Sequence, residues 1–353
     1  VEVIECHERL WYGIEDRVQT ASGGWLRPSF VSRVSRTYWR LIKSYRDVGE
    51  YDAMVLGYPG QMDVCLARAL TWVRRKPLVL DVFMSIYLIA EERGLTLRHP
   101  LTGRLIRWLE KLALWLPDLR IQDTAEYVEW LGSTYGMEPG RFRLVPTGAD
   151  DRIFHPSEGA RHDDGILRVL YYGTFIPNHG VEYIVEAARI LKGEPDIYFD
   201  LIGDGPTRAR AMAMVEDRQL TNVAFLGWVD KGSLPAKVAE ADLFLGAFGT
   251  TPQSIMTIQN KIYEGLAMAQ PVVTGDSPTI RSQLEHGKEV FLVEREDPQA
   301  LARAILSLRD DPALRQRLAE YGHRRFLERF STACIGRQTH RHLQELVSTG
   351  GGG

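Results

Sequence analysis

The sequence predicts an α/β fold with two doubly wound, Rossmann-like domains, on the strength of three features of the chain. Short apolar strands alternate with helical stretches nearly throughout, which is typical of parallel sheets. The length of 353 residues suits two domains, at roughly 150 residues each. Residues 155–165 (HPSEGARHDDG) are polar, contain Pro and Gly, and lack apolar periodicity, as linkers do. We therefore predict an N-terminal domain over residues 1–160 and a C-terminal domain over residues 161–353.

In the N-terminal half, apolar runs predict strands at 1–6, 52–56, 78–83, 119–122 and 142–145. Apolar residues at helical spacing predict helices at 32–47, 63–74, 102–116 and 125–135. A doubly wound domain normally opens with a strand and a Gly-rich turn, whereas this chain opens on Val1, inside a strand-like run. We expect that this domain lacks its first strand and turn.

The C-terminal half restarts the alternation of strands and helices. Its predicted strands lie at 167–172, 198–202, 223–226, 243–247, 271–274 and 290–293. Its predicted helices lie at 181–191, 206–218, 260–268 and 298–309. A last helix at 336–347 is expected to cross back to the N-terminal domain.

Composition and charge exclude several classes of protein. The chain has 43 Lys and Arg against 46 Asp and Glu, whereas general nucleic-acid binders usually carry a basic excess. The three cysteines form no CxxC or Cys/His pattern, which favours a reducing compartment and argues against structural zinc. No apolar run approaches the ~20 residues of a membrane-spanning helix, and no signal peptide is recognisable. We expect a cytoplasmic protein that binds no nucleic acid and no metal.

Two strand-to-helix turns in the C-terminal half contain glycine. GTFIPNHG, from Gly173 to Gly180, follows one predicted strand, and Gly203, Asp204 and Gly205 follow the next. Backbone N–H groups and a helix N-terminus at such a turn favour a phosphate. Tight turns also use glycine for its positive φ angles, so a purely conformational role stays open at both turns.

The predicted helix at 260–268 begins with Asn260 and Lys261 and carries Glu264 one turn later. Lys261 and Glu264 are three residues apart and lie on one helical face. A lysine near a helix N-terminus suits a pyrophosphate, and a carboxylate one turn later suits the hydroxyls of a ribose. The alternative is a solvated ion pair between the two side chains.

Several ordered motifs together resemble glycosyltransferase family 4, the glycosyl transferases of group 1. The motifs are GTFIPNHG, LIGDGP, VAFLGWVDKGSLPAKVAEADLFLGAF, NKIYEGLAMAQPVVTGDSP, and the segment VPTGAD followed by Phe154 and Pro156. The resemblance covers residues 140–330 well and residues 50–140 loosely. It implies a GT-B fold, in which two Rossmann-like domains face each other across a cleft. It also implies a retaining, metal-independent transfer of a sugar from a UDP- or GDP-sugar to a hydroxyl acceptor, without a cofactor, in polysaccharide or glycolipid assembly.

The resemblance also implies a donor site in the C-terminal domain. It places Gly173, Lys261 and the amides of Gln259 and Asn260 at the diphosphate, and Glu264 at the ribose. The remaining implied donor residues are Thr174, Asn178 and His179 in the first turn, Gly203, Asp204 and Gly205 in the second, and Trp228 and Val229 at the base.

The sequence departs from the family pattern at three places, one of which involves a pair of residues. Met256 stands where a Glu that grips the donor sugar is common, and Phe83 stands where a His is usual. Thr174 and His179 replace a basic pair at the diphosphate, and His179 supplies a charge there only when protonated. Two alternatives therefore stay open: a nucleotide-sugar-binding module without transfer activity, and a GT-B-like sugar-nucleotide epimerase.

For the acceptor side, Asp81 and Ser85 lie at the end of a predicted strand and are expected to face the cleft. Asp81 is a catalytic candidate together with Lys261 and Glu264, because it can orient an acceptor hydroxyl. It can equally satisfy buried backbone donors.

Residues 27–46 contain six basic residues and no acidic one. Arg33, Arg36, Arg40 and Lys43 form a stripe beside an apolar stripe. This pattern suits an anionic membrane surface carrying a lipid-linked acceptor, and so a peripheral position on the inner face of the membrane. Two other interpretations stay open: a helix packed on its sheet with a solvated basic face, and a face that holds a phosphate of the acceptor.

Overall fold

A computed structural model describes residues 1–10, 28–157 and 164–350, and the chain divides into two compact units, residues 1–54 and 55–353. In the first unit, residues 1–10 have no regular secondary structure, so the predicted strand at 1–6 is wrong. Val1 and Val3 are 88% and 77% exposed, and no described strand pairs with them. An apolar run forms a strand only where a neighbouring strand satisfies its backbone.

Helix α1 (Pro28–Arg46) confirms the predicted basic helix and begins four residues before the predicted start at 32. Pro28 suits the first turn, where backbone N–H groups have no helical partner. Phe30 and Tyr45 are buried, whereas the basic side chains Arg36, Arg40 and Lys43 are exposed. Arg33 is half-buried, and its guanidinium lies 5.3 Å from the Phe30 ring centroid. Arg27 lies outside the described residues.

The second unit, together with the boundary residue Met54, contains two parallel sheets. The first has the order β1-β2-β3-β4, with β1 (Met54–Leu56), β2 (Leu78–Asp81), β3 (Leu119–Gln122) and β4 (Phe142–Leu144). Its helices are α2 (Val64–Arg74), α3 (Ile86–Glu92), α4 (Leu95–Arg98), α5 (Pro100–Trp115) and α6 (Ala125–Tyr135). Strand β2 ends two residues before the predicted end at 83, because Phe83 adopts a left-handed conformation with φ of 48°.

A buried carboxyl group holds the start of α3 against α5. Glu110 of α5 accepts hydrogen bonds from the Ser85 hydroxyl at 2.6 Å and from the backbone N–H of Ile86 at 2.7 Å. It also accepts from the Tyr135 hydroxyl at 2.5 Å. Because these bonds are buried, they fix which face of α5 points inward.

The second sheet has the order β10-β9-β8-β5-β6-β7. Its strands are β5 (Leu167–Tyr172), β6 (Ile197–Ile202), β7 (Val223–Leu226), β8 (Leu243–Leu245), β9 (Val272–Gly275) and β10 (Phe291–Val293). The chain runs from β5 outward through β6 and β7, and then returns to β8 on the other side of β5. Ligands of open α/β sheets bind at such a switch point, outside the carboxyl ends of the strands.

The helices of the second half cover both faces of this sheet. They are α7 (Val181–Ile190), α8 (Arg208–Asp217), α9 (Leu234–Ala239), α10 (Pro252–Met256), α11 (Asn260–Ala267), α12 (Pro278–Gln283), α13 (Pro298–Asp310), α14 (Pro312–Arg329) and α15 (Thr332–Gly350). Helix α15 packs Ile335, Leu343 and Leu346 against a buried cluster of the first sheet. Gln338 of α15 donates to the backbone carbonyl of Leu144 at 2.6 Å.

Candidate functional site

Lys261 is the second residue of α11 and is 5% exposed. Its Nζ atom donates to the Tyr171 hydroxyl at 3.0 Å and lies 4.1 Å from the centroid of that ring. Among the described residues, no carboxylate comes within ion-pair distance of this ammonium. An ammonium has three donors, so N–H groups remain for a ligand. Burial lowers the pKa of Lys261 to about 7, although the nearby Glu264 opposes the shift.

Gly173, at the end of β5, leaves the space that the lysine occupies. A Cβ atom there would lie 2.5 Å from Lys261 Nζ, and φ of Gly173 is +147°. The ammonium therefore lies directly against the strand-to-helix turn, as the sequence-based phosphate hypothesis requires.

Glu264 lies one turn after Lys261, but the two side chains do not form an ion pair. Glu264 is half-buried and accepts a hydrogen bond from the hydroxyl of Tyr172, the last residue of β5. Burial raises its pKa above the ordinary value, and Tyr172, Lys231 and Lys261 partly oppose the shift. The solvated ion pair that the sequence left open is therefore not formed, since each side chain bonds a tyrosine of β5 instead.

The second glycine turn, at Gly203 and Gly205, packs against the first turn through direct backbone contacts. A Cβ atom at Gly203 would lie 2.0 Å from the carbonyl oxygen of Gly173, and one at Gly205 would lie 2.6 Å from that of Phe175. Phe175 N–H also donates to the Asp204 carbonyl at 2.9 Å. Close approach explains why both positions are glycine, and a ligand contact by Gly203, Asp204 and Gly205 stays a prediction.

His179 is a hydrogen-bonding residue of the turn rather than a cation. Its Nδ1 atom lies 2.6 Å from the backbone carbonyl oxygen of Thr174 and 3.1 Å from the Tyr171 hydroxyl. Burial and the charge of Lys261 lower the pKa of His179 to about 3. The imidazole is therefore neutral near pH 7, and the protonated form considered from the sequence is disfavoured in this environment.

Asn178, in the turn after β5, forms a side-chain hydrogen bond to α3, which belongs to the first half of the second unit. Its side chain donates to Glu92 Oε2 of α3 at 3.1 Å, and its backbone carbonyl accepts from the Ser254 hydroxyl at 2.6 Å. The other Glu92 oxygen accepts from Gln253 N–H, in the first turn of α10, at 2.9 Å. Glu92 thus joins the turn after β5 to α10, a role that sequence reasoning missed.

The segment between α10 and α11 carries the other predicted donor residues. The Met256 carbonyl accepts from the Thr124 hydroxyl at 2.6 Å, and its side chain packs on the core of the first sheet. The Gln259 amide donates to the Ser254 carbonyl at 3.2 Å, while its Oε1 atom is buried without a partner. Asn260 is exposed. Met256 therefore has a packing role here.

After β7, the Trp228 side chain is 71% exposed, whereas Val229 packs against the core of the second sheet. The backbone carbonyl of Gly227 accepts from Gly203 N–H at 3.2 Å, which brings this loop against the second glycine turn. An exposed indole beside the turns offers a flat apolar surface for a ring.

Arg295, which the sequence did not single out, supports the loop that precedes α10. It follows β10 and donates to the Gly249 carbonyl at 2.7 Å and to the Ser254 hydroxyl at 3.1 Å. Burial lowers its pKa to about 10, so it remains a cation at neutral pH. Its Nη2 atom is buried and has no partner among the described residues.

On the first sheet, Asp81 ends β2 and is half-buried, and burial raises its pKa to about 6. Ser85 requires a correction, because it is fully buried and caps α3 by accepting from Leu88 N–H at 3.0 Å. The Ser85 hydroxyl donates a hydrogen bond to the carboxylate of Glu110. Ser85 therefore stabilises the fold and does not present its hydroxyl to the cleft.

Asp123 is a carboxyl group that the sequence analysis missed. It follows β3, is 8% exposed, and neither of its oxygens has a hydrogen-bond partner among the described residues. The pKa of Asp123 is raised to about 7, mainly by burial and in smaller part by the charge of Asp81. Its neighbour Thr124 bonds Met256, so Asp123 lies where the first sheet meets α10. The rule that ligands bind beyond strand ends would have found it, had it been applied to β3.

Within the described ranges, no group of three or more His, Cys, Asp and Glu side chains is arranged to hold a metal ion. In the same ranges, no helix is long and apolar enough to cross a membrane.

Residues 167–311 match the sequence family described as Glycosyl transferases group 1. The chain is 31% identical over 181 residues to LpsE, a lipopolysaccharide core biosynthesis glycosyltransferase of Rhizobium meliloti, covering 51% of this chain and 49% of LpsE. It is 25% identical over 273 residues to the alpha-D-kanosaminyltransferase of Streptomyces kanamyceticus, covering 74% of this chain and 69% of that enzyme. The chain therefore spans about half the length of LpsE.

Solved structures share the arrangement of two doubly wound sheets. Sucrose-phosphate synthase of Thermosynechococcus elongatus has a TM-score of 0.72 at 20% identity, covering 91% of this chain and 79% of that one. HepE of Anabaena, solved in complex with UDP-glucose, has a TM-score of 0.65 at 18% identity, covering 82% and 78%. The predicted fold class is therefore confirmed.

Replacing Lys261 by Met tests whether the buried ammonium serves binding or folding. The pKa of the Lys261 side chain is about 7 in the folded protein, against 10.5 for an ordinary lysine. Burial of the charged form therefore lowers the free energy of unfolding. That cost is fully present below pH 7 and vanishes as the pH rises from 7 to 10.5. We expect Lys261→Met to raise the free energy of unfolding by on the order of a few kcal/mol below pH 7, and by less at about pH 9.

Urea denaturation at the two pH values measures this effect, with the exposed Lys192→Met as the matched control. A loss of stability in Lys261→Met at both pH values, beyond that of the control, would show that the ammonium supports the fold.

Proposed function

We propose that this chain, whose residues 167–311 form a group 1 glycosyl transferase domain, transfers a sugar from a UDP- or GDP-sugar to an acceptor hydroxyl. The acceptor is a glycan or a lipid-linked glycan in polysaccharide or glycolipid assembly. The transfer retains the anomeric configuration and needs neither a metal ion nor a cofactor. One observation carries the proposal: the buried Lys261 ammonium has no described carboxylate partner and lies against the Gly173 turn.

The diphosphate of the donor supplies the missing counter-charge. Its oxygens accept from Lys261 Nζ and from the backbone N–H groups at the start of α11, around Gln259 and Asn260, where the helix terminus favours an anion. Neutral His179 supports this arrangement by bonding the Thr174 carbonyl, which holds the turn in shape. Binding an anion at Lys261 raises the pKa of the ammonium and draws a proton into the site.

The nucleoside lies along the edge formed by β5, β6 and β7. Glu264 accepts from the ribose hydroxyls, and it is held in position by the Tyr172 hydroxyl. The base packs on Trp228 and Val229, and the second glycine turn lines the pocket behind them. An exposed indole and a half-buried carboxylate are suited to a planar base and a vicinal diol.

The chemistry is transition-state stabilisation at the leaving group. The bond between the anomeric carbon and the diphosphate oxygen breaks with its electron pair going to the diphosphate, and a bond to the acceptor oxygen forms on the same face of the sugar. Lys261 and the backbone amides stabilise the charge that develops on the diphosphate. The enzyme contributes mostly orientation and fixed charge, because no protein nucleophile is needed.

The acceptor binds against the first sheet, where Asp81 is the last residue of β2 and Asp123 directly follows the neighbouring strand β3. Asp123 accepts the hydrogen bond of the acceptor hydroxyl and takes its proton as the new bond forms. Its unpartnered oxygens and its pKa near neutrality suit that task. Asp81 raises the proton affinity of Asp123 through its charge and offers a second acceptor for a neighbouring hydroxyl.

The exposed basic face of α1 gives the protein a means of contact with an anionic surface. Arg36, Arg40 and Lys43 are exposed beside Trp39, which is 64% exposed. Lys and Arg near a membrane surface contribute about 1 kcal/mol each to binding. We assign this face to peripheral contact with an anionic membrane or with a phosphate of the acceptor.

Incubating the protein with UDP- and GDP-sugars and a glycan acceptor tests the reaction directly. We expect release of nucleotide that requires the acceptor, a product with the anomeric configuration of the donor by NMR, and no loss of rate in EDTA. Donor binding without turnover would instead indicate a binding module. Conversion of the donor to its 2-epimer without an acceptor would indicate an epimerase.

The variant Glu264→Ala tests the nucleotide-binding site independently of the transfer reaction. We expect it to weaken nucleotide binding in calorimetry by about tenfold, from the loss of charge-assisted hydrogen bonds to the ribose. Glu216→Ala, an exposed carboxylate on α8, is the matched control. Unchanged affinity in Glu264→Ala would remove this residue from the pocket.

Replacing Asp123 by Asn tests the acceptor side. We expect kcat to fall by about a hundredfold, the lower end of the range for lost general acid–base catalysis, with donor affinity unchanged. The wild-type rate should rise with pH through about 7, where Asp123 loses its proton, and this rise should be absent in Asp123→Asn. Glu129→Gln, exposed on α6, is the control. A variant that keeps the wild-type pH profile would contradict the role.

A further inference from the structure

The helix pair α4 and α5 exposes a stripe of large apolar side chains. Leu101, Leu105 and Trp108 of α5 are 77%, 56% and 60% exposed, and Leu97 of α4 is 85% exposed. Spacings of four and three residues put the three α5 side chains on one helical face. Single exposed apolar residues are ordinary, but four large apolar side chains exposed on two adjoining helices mark an interaction surface.

The stripe does not result from a helix turned the wrong way. The opposite face of α5 is the one that packs, since Gly103, Glu110, Ala113 and Leu114 are buried. The buried bonds of Glu110 to Ser85, Ile86 and Tyr135 fix that orientation. Helix α5 is therefore apolar on two sides, and among the described residues only the side with Gly103 and Leu114 is buried.

Basic side chains flank the stripe. The segment 93–115 contains five of them, all exposed: Arg93, Arg98, Arg104, Arg107 and Lys111. The one acidic residue of that segment, Glu110, is buried. The surface therefore combines apolar side chains with an excess of positive charge, although the exposed Glu91 lies two residues before this segment. A second copy of the chain would present the same positive face, so self-association through this surface is electrostatically unfavourable.

We propose that the α4–α5 surface, formed by Leu97, Leu101, Leu105 and Trp108 with their basic neighbours, docks on an anionic lipid bilayer. The apolar side chains enter the interface between headgroups and acyl chains, where tryptophan is well accommodated. Arg104 and Lys111 contact anionic headgroups. The proposal concerns a surface on the second unit, separate from the basic face of α1, and does not depend on the reaction proposed above.

Co-sedimentation with phosphatidylcholine vesicles, with and without phosphatidylglycerol, tests the proposal without any donor or acceptor. We expect binding to vesicles containing phosphatidylglycerol that weakens as salt is added. The double variant Leu101→Ser/Leu105→Ser should bind at least about tenfold more weakly, because two buried side chains are lost from the interface. Arg104→Gln and Lys111→Gln should each weaken binding about fivefold, and only to the anionic vesicles.

Leu327→Ser on α14, where the wild-type side chain is 51% exposed, is the matched control and should bind as the wild type does. Unchanged thermal melting of each variant excludes a folding defect. Three results would overturn the proposal: absence of sedimentation at low salt, wild-type affinity in the double leucine variant, or loss of binding only in Arg36→Gln/Arg40→Gln of α1. A concentration-dependent dimer in sedimentation velocity that the double variant abolishes would assign the surface to a second copy instead.

Discussion

The buried ammonium of Lys261 is the interaction on which the site depends. It lies on the ring of Tyr171 and against the bare backbone of Gly173, and no described carboxylate neutralises it. Keeping a charge in such a place costs free energy unless a ligand pairs with it. The surrounding structure holds the ammonium there nonetheless, because the two glycine turns pack backbone to backbone and both β5 and α11 belong to the same unit. A functional need for an anion explains this arrangement better than stability does.

The two sheets of the second unit contribute different chemical groups, and side-chain hydrogen bonds connect the two halves. The second sheet provides positive charge and backbone donors at the ends of β5 and β8, whereas the first provides Asp81 and Asp123 at the ends of β2 and β3. Glu92 and Thr124 connect them, through Asn178 and Met256. In the proposed transfer, the cation stabilises the leaving group and a carboxyl group with a near-neutral pKa accepts the proton of the attacking hydroxyl.

The sequence predicted the ten described strands to within two residues at each end, because buried parallel strands are continuous apolar runs. Its failures have physical reasons. The run at 1–6 has the composition of a strand but pairs with no described strand. Ser85 has the position of a site residue, but its hydroxyl is hydrogen-bonded to the buried Glu110. Periodicity showed that α5 is a helix, but it could not show which of its two apolar faces the fold would use. Partners in space decide such questions, and the roles assigned to Lys261 and Glu264 remain predictions.

Calorimetric titration of UDP and of GDP across pH 7 to 9, in buffers of different ionisation enthalpy, tests the central claim most directly. If the diphosphate pairs with Lys261, whose pKa is about 7 in the free protein, binding takes up a proton above that pH. The affinity should then fall by up to about tenfold per pH unit, and Lys261→Met should lose both the affinity and its pH dependence. Affinity that is constant over this range and is unchanged in Lys261→Met would contradict the account.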